Sequence, residues 1–494
     1  MNQHLLTIYG LLITVSLTGC GGVTFPAQSL DEAAKSAGAM AAYATKEGGK
    51  ADFFMFADSA GRIDRVGYDR TGGGKPTEFV ELDSIPMSQC RHLVLILDGF
   101  GYDVVSAFYD LGHLRICHHP SRVIAPYPTL TDLAIEDALG LPPCRGMEAE
   151  YFNRKTMRVE GGSAAYMNEE NEPYDRKLQY RASKIWDAIG YLYPEGVFGK
   201  EINDSMRLFD KDQTREVIAY YVSSAAVGTR YGAAGQVRCL EKVERLVNQA
   251  VWETGGKVKV TIFADHGHSY TPATRIPLEG YLAAKGWRVE DSLKKSRDVA
   301  YIRFGLETYA AFSTFTAEEA APLAADLIAA DGVELASYAD SETVTVLGRG
   351  GARGRVSQKN GRFRYDAISG DPLKLKEALA KLKPDGEGFH DEDQLLAATY
   401  DAYYPDALQR LWRAHHGIVQ NTPDVIISLE DRFYSGSSGF AGAVNIASTH
   451  GGLNRSNSTA FIMSSAGPLP PFMRSADIPR NMEKLTGQKF PLGK

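Results

Sequence analysis

The chain has 494 residues, enough to bury a large core and to form more than one lobe. Hydrophobic residues make up 44% and charged residues 23%, a balance that excludes a disordered or fibrous chain. The net charge is −7, and the basic residues are scattered rather than striped. A nucleic-acid partner is therefore not expected.

Taken in chain order, residues 1–20 (MNQHLLTIYGLLITVSLTGC) stand apart. Their apolar run is too short to span a bilayer and suits a signal-peptide core. The ending Leu17-Thr18-Gly19-Cys20 resembles the lipobox of bacterial lipoproteins. That resemblance implies lipidation at Cys20, a lipid anchor in the cell envelope and, with Gly21 following, an outer-membrane location facing the periplasm. Residues 21–36 read as a tether, and FFMF and FVEL within 50–82 read as short strands of an N-terminal extension reaching to residue 90. The remaining cysteines, Cys90, Cys117, Cys144 and Cys239, fit no metal-knuckle spacing, and paired or free thiols are both compatible with them.

From residue 91 the pattern becomes that of a buried parallel sheet. RHLVLILDGFG and KVKVTIFADHGH are continuous apolar runs that end in polar residues, and VIAYYV and PDVIISL (423–429) read as two further buried strands. Between them Val237, Leu240, Val243, Val247 and Val251 share one helical face, with Gly255 as a stop. Strands alternating with helices predict an α/β fold built on a doubly wound, mainly parallel sheet. Residues 296–390 differ. A capping-box spacing (Thr316, Glu319), a helix and strands joined at Asn360-Gly361 predict a small α+β cap inserted between core segments 91–295 and 391–494.

Four polar clusters follow predicted strands or lie in glycine-rich loops. They are Asp98, the pair Thr129 and Thr131 in APYPTLTD, Asp265-His266, and His450 in STHGG. Aspartate and histidine suit a divalent cation such as zinc, and a threonine hydroxyl beside one loses its proton more readily. Each fragment alone has a structural explanation, whereas a shared metal site explains them together.

The order Asp-Gly, Pro-Thr-x-Thr, Asp-His-Gly and a late Thr-His-Gly-Gly resembles the alkaline phosphatase superfamily, in its type I phosphodiesterase and nucleotide pyrophosphatase branch. The resemblance covers about residues 90–270 and 420–465. It implies a phosphoric-ester hydrolase or phosphotransferase acting on a small phosphorylated substrate. Carried over, Asp98, Thr131, Asp265 and His266 would hold one cation, zinc by preference, with Thr131 as nucleophile and His450 stabilising substrate charge or protonating the leaving group. The second metal pair of that branch, Asp-x-x-x-His, falls here on Ala225 and Thr229, so one metal rather than two is expected per chain. The branch's phosphate-binding asparagine falls on Glu150, whose charge would repel a phosphoryl group. His268 is a candidate substitute ligand or a supporting residue. The alternative from another class is a pseudoenzyme acting as a surface-anchored binding protein.

Overall fold

The computed structural model describes residues 22–168, 173–303, 305–340, 342–436 and 446–492. Cys20 and the signal segment lie outside the described residues. Among the described residues no helix is long and apolar enough to cross a membrane.

The fold is mixed α/β with several sheets. The chain opens on a four-stranded antiparallel sheet (Ala41–Tyr43, Phe53–Ala57, Ile63–Tyr68, Glu78–Glu81), which contains both short strands expected there. The stretch read as a tether is packed rather than free. Phe25 is buried, and the backbone N–H groups of Thr24 and Phe25 donate to Gln249.

The central sheet has seven strands. Four of them carry the argument: β1 (Arg91–Leu97), β2 (Glu216–Tyr221), β3 (Val258–Ala264) and β4 (Thr459–Ser464). β1 lies between β2 and β3 and is parallel to both, and all three are buried on both faces, as their continuous apolar runs require. β4 runs antiparallel to β3 and to Ser121–Ile124, which puts that last strand in the same direction as β1.

Two helices matter for the site. α1 is Thr131–Leu139. α2 is Ser223–Glu253, bent at Gly232, whose φ of 59° and ψ of −153° break the helical path. Only the second half of α2 was legible as a helix, because Ser223–Thr229 has no apolar stripe. The structure nevertheless begins the helix immediately after β2, so Ala225 and Thr229 fall one turn apart in its buried first turns.

A nine-stranded sheet forms the second lobe. The capping box at Thr316 and Glu319 and the hairpin at Asn360-Gly361 are both present, the turn with φ of 51° and 75°. One expectation changes here. The strand at 423–429 exists as Val425–Leu429, but it pairs with Tyr309–Thr314 and Val333–Ala339 rather than with the central sheet. Periodicity marks a strand as buried without saying which sheet buries it.

Candidate functional site

Register builds the site. Leu97 is paired with Tyr221 on one side and with Ala264 on the other, so the three parallel strands end level. Asp98 and Asp265 are each the next residue and emerge side by side at the carboxyl edge, where open α/β sheets collect ligands. β4 is antiparallel, so its start lies at this same edge and brings the loop containing His450 there. The strand Ser121–Ile124 also ends at this edge, and the loop after it delivers Thr131 to the first turn of α1.

His266 lies at the centre. Its Nδ1 is 2.9 Å from the Gly267 carbonyl oxygen. A carbonyl can only accept, so Nδ1 carries the hydrogen and the neutral ring presents a bare lone pair at Nε2. That lone pair faces Asp265 Oδ2 at 3.4 Å, Asp98 Oδ1 at 3.6 Å and the Thr131 hydroxyl at 3.4 Å. Both carboxylate oxygens are buried without a hydrogen-bond partner among the described residues. Three acceptors aimed at one another, with the Thr131 hydroxyl as the donor beside them, form a cradle for a cation.

The separations agree with that reading. Donor atoms around a tetrahedral cation with bonds of about 2.1 Å sit about 3.4 Å apart, whereas an N–H···O hydrogen bond would draw them to about 2.9 Å. Asp98, Asp265 and His266 are the set of Asp, Glu, His and Cys ligands that converge among the described residues, and all three are buried. Thr131 is half-buried and adds the fourth oxygen.

The other lone pairs of the cradle are fixed. Asp98 Oδ2 accepts from the Tyr220 hydroxyl at 2.5 Å, and Asp265 Oδ1 accepts from the backbone N–H groups of Gly99 and His266. Burial pushes the Asp98 carboxyl well above its usual range, and the neighbouring Asp265 pushes it further. Burial raises Asp265 to about 6, against the restraining hydrogen bonds from Gly99 and His266. Burial pulls His266 well below its ordinary value, and His450 adds to this. The cavity thus disfavours every charge it holds until a cation is added. Tyr220→Phe removes the donor to Asp98 Oδ2 and is expected to weaken zinc binding about 10–100-fold. A competitive chelator titration measures this, and unchanged affinity would show that the hydroxyl has no supporting role.

Thr129 supports the loop. Its hydroxyl accepts from the Gly451 N–H at 2.8 Å, and its carbonyl lies 3.0 Å from His450 Nδ1. His450 stacks on His266 with ring centroids 3.9 Å apart, and its Nε2 faces Glu307 Oε2 at 3.4 Å. Nδ1 is therefore the ring nitrogen committed to a hydrogen bond, while Nε2 lies beside a carboxylate oxygen that has no hydrogen-bond partner among the described residues. Glu307 was invisible in the sequence, where GLETY matches no motif. Tyr220 was read only as part of an apolar strand.

Ala225 and Thr229 are buried beside His268, which is itself fully buried. His268 Nδ1 is 2.5 Å from the Ser448 hydroxyl, and the ring also lies against the Ala225 backbone. The loop after β1 is clamped from the same side. Gln236 donates to the Gly99 carbonyl at 2.6 Å, and Tyr270 donates to Gln236 at 2.5 Å while accepting from the Gly101 N–H at 3.0 Å. Gly99 is required here. Its φ is +67°, and a Cβ would lie 2.9 Å from His268 Cδ2.

Glu150 is placed elsewhere. It accepts from the backbone N–H of Arg303 at 3.2 Å, next to the second lobe, and has no hydrogen bond to the Asp98 cluster among the described residues. Burial raises its carboxyl. The four cysteines Cys90, Cys117, Cys144 and Cys239 are free and buried. A cavity of about 860 Å³ lies against His268 and Tyr270 but is not lined by Thr131.

No family model matches the chain, and no curated protein matches it. Among solved structures it is similar to human ectonucleotide pyrophosphatase/phosphodiesterase 5, with 12% identity and a TM-score of 0.42 over 82% of this chain and 96% of that one. The murine ectonucleotide pyrophosphatase/phosphodiesterase 5 gives 13% identity and a TM-score of 0.41 over 82% and 97%. Likenesses this distant assign neither activity nor substrate to this chain.

Proposed function

We propose that the protein is a metal-dependent phosphoric-ester hydrolase or phosphotransferase with Thr131 as its nucleophile and one cation, zinc by its donor set, held by Asp98, Thr131, Asp265 and His266. The observation that carries this is the bare Nε2 of His266 facing two unpartnered carboxylate oxygens, with a threonine hydroxyl at the same 3.4 Å separation. The motif resemblance and the sheet-edge placement agree with an alkaline phosphatase-like core.

When bound, the cation would lower the pKa of the Thr131 hydroxyl and offset negative charge on the phosphoryl group. The residues of the chain do the rest. Thr131 Oγ attacks phosphorus in line, the bond from phosphorus to the leaving oxygen breaks, and a phosphothreonine forms. Thr131 opens α1, so backbone N–H groups of the first turn would be available to phosphoryl oxygens of a bound ester. Water then releases phosphate, or an alcohol accepts the group.

The replacement of the second metal pair by Ala225 and Thr229 favours a second reading, a surface-anchored binding protein that has lost turnover. The resemblance of Leu17-Thr18-Gly19-Cys20 to a lipobox supports a lipid anchor in the cell envelope, facing the periplasm, for either form. One experiment separates the two. Chelated protein reloaded with zinc is assayed on aryl phosphate monoesters and diesters. Zinc-dependent turnover supports the enzyme; binding of zinc with no turnover on any ester supports the binding protein.

A further inference from the structure

The chain joins the folded body almost at its lipobox. The Val23 N–H donates to Asn203 Oδ1 at 2.9 Å, and the Gly22 carbonyl accepts from Gln249 Nε2 at 3.1 Å. Residues 22 and 23 are thus fixed against the helix Pro194–Lys211 and against α2. Cys20 lies two residues earlier, and two residues of chain reach at most about 7 Å. A lipid on Cys20 therefore starts beside Asn203, an exposed residue of that helix. The body has no length of tether on which to stand off, so the surface around Asn203 faces the membrane.

That surface carries an apolar stripe where a surface helix is ordinarily polar. In the helix Lys184–Gly190 the charged residues Lys184 and Asp187 are buried, whereas Ile185 is 62% exposed. The Tyr193 N–H donates to the Ile189 carbonyl at 2.9 Å, which carries the turn onward to Leu192 and Tyr193, 57% and 66% exposed. Ile185, Ile189, Leu192 and Tyr193 follow the i, i+4, i+7, i+8 spacing of one helical face. Such a face is ordinarily turned to the core, and here it is turned outward. The stripe adjoins the point where the chain enters. Trp186, next to Ile185, lies under the Lys200 ammonium, 5.1 Å from the ring centroid, and Lys200 and Asn203 are one turn apart. Pro194, which follows Tyr193, stands about 14 Å along the helix axis from Asn203.

We propose that this face, from Ile185 to Asn203, rests on the surface of the lipid bilayer, with Ile185, Leu192 and Tyr193 seated at the level of the headgroups. The anchor sets the occupant: a membrane held within about 7 Å of Gly22 is the apolar phase that the stripe meets first. Tyrosine and tryptophan suit that depth, because a ring with one polar edge is stable where water gives way to hydrocarbon. Asp204, next to Asn203, is paired with Lys200 and Arg207, so it presents no bare negative charge to anionic lipid. The protein is thereby oriented as well as tethered. The inference rests on the lipobox reading of Cys20 and is independent of the metal cradle and of Thr131.

The test uses the full chain, purified from bacterial membranes and reconstituted in vesicles of phosphatidylethanolamine and phosphatidylglycerol that carry a spin-labelled lipid. Leu192→Cys is labelled with an environment-sensitive fluorophore, and Ile368→Cys, at a position 51% exposed on the second lobe, is the control. The thiols of Cys90, Cys117, Cys144 and Cys239 are buried and do not compete for the label. The Leu192→Cys label should be blue-shifted and quenched several-fold more than the Ile368→Cys label. Ile185→Cys should repeat the result, and neither exposed position is part of the core. Mass spectrometry of the N-terminal peptide reads acyl groups on Cys20 in the same sample. Acylated Cys20 with equal quenching at the two labels leaves the anchor standing and refutes the docking face. A blue shift without lipid quenching puts a second copy of the chain on the stripe and refutes the membrane as its occupant. Unmodified Cys20 in protein released from membranes refutes the anchor and the docking face with it.

Discussion

Thr131→Ala is expected to lower turnover of an aryl phosphate ester by about 10³–10⁵-fold, the usual cost of deleting a covalent nucleophile when the rest of a site survives. The fold should survive. Thr131 is half-buried at the first position of α1, and the N-cap residue of that helix, Leu130, makes no side-chain cap hydrogen bond that the change would break. Zinc should still bind, because Asp98, Asp265 and His266 keep their three converging atoms. Thr131→Ser retains the hydroxyl and should retain most of the rate. A quench during turnover should place one phosphoryl group on the peptide containing Thr131, and mass spectrometry reads this directly. Full activity in Thr131→Ala would mean that water attacks the ester and that the nucleophile is misassigned.

Much of the site was legible because it sits where buried strands end. An apolar run that stops at an aspartate is a weak signal alone, and it gained weight because β1 and β3 both gave it, at Asp98 and at Asp265-His266. What stayed hidden depends on contacts between distant segments. Glu307 meets His450 across 143 positions of sequence only because the second lobe folds over the sheet edge, and no local pattern encodes that. The same limit explains the strand Val425–Leu429, correctly read as buried and attached to the other sheet. The surroundings of His450 stayed hidden for a related reason. Its ring nitrogens are assigned by the Thr129 carbonyl and by Glu307, and partners of this kind are tertiary.

Asp265→Asn should change stability in opposite directions with and without metal. In the metal-free protein Asp98 and Asp265 are buried side by side, each with an unpartnered oxygen, and each disfavours charge on the other. The asparagine keeps a side-chain oxygen for the Gly99 and His266 N–H groups and removes one of the two charges. Metal-free Asp265→Asn should therefore melt above metal-free wild type at pH 8 by a few degrees. The pH dependence follows from the raised carboxyl. With a folded pKa of about 6 against an unfolded value of 3.8, folded wild type binds more protons than unfolded wild type between those limits. Its stability must then fall as pH rises through that window, and the variant loses this contribution. The gap between the two melting curves should open between pH 4 and 6 and stay constant above. Zinc reverses the order. At about 100 times its dissociation constant it stabilises wild type by about 2.7 kcal/mol, and it does little for a variant whose cradle lacks one carboxylate. Calorimetric scans of both proteins, with chelator and with zinc, measure all four states. Metal-free wild type melting at or above the variant at pH 8 would show that the two carboxylates are not in electrostatic conflict, which removes the physical reason for placing a cation between them.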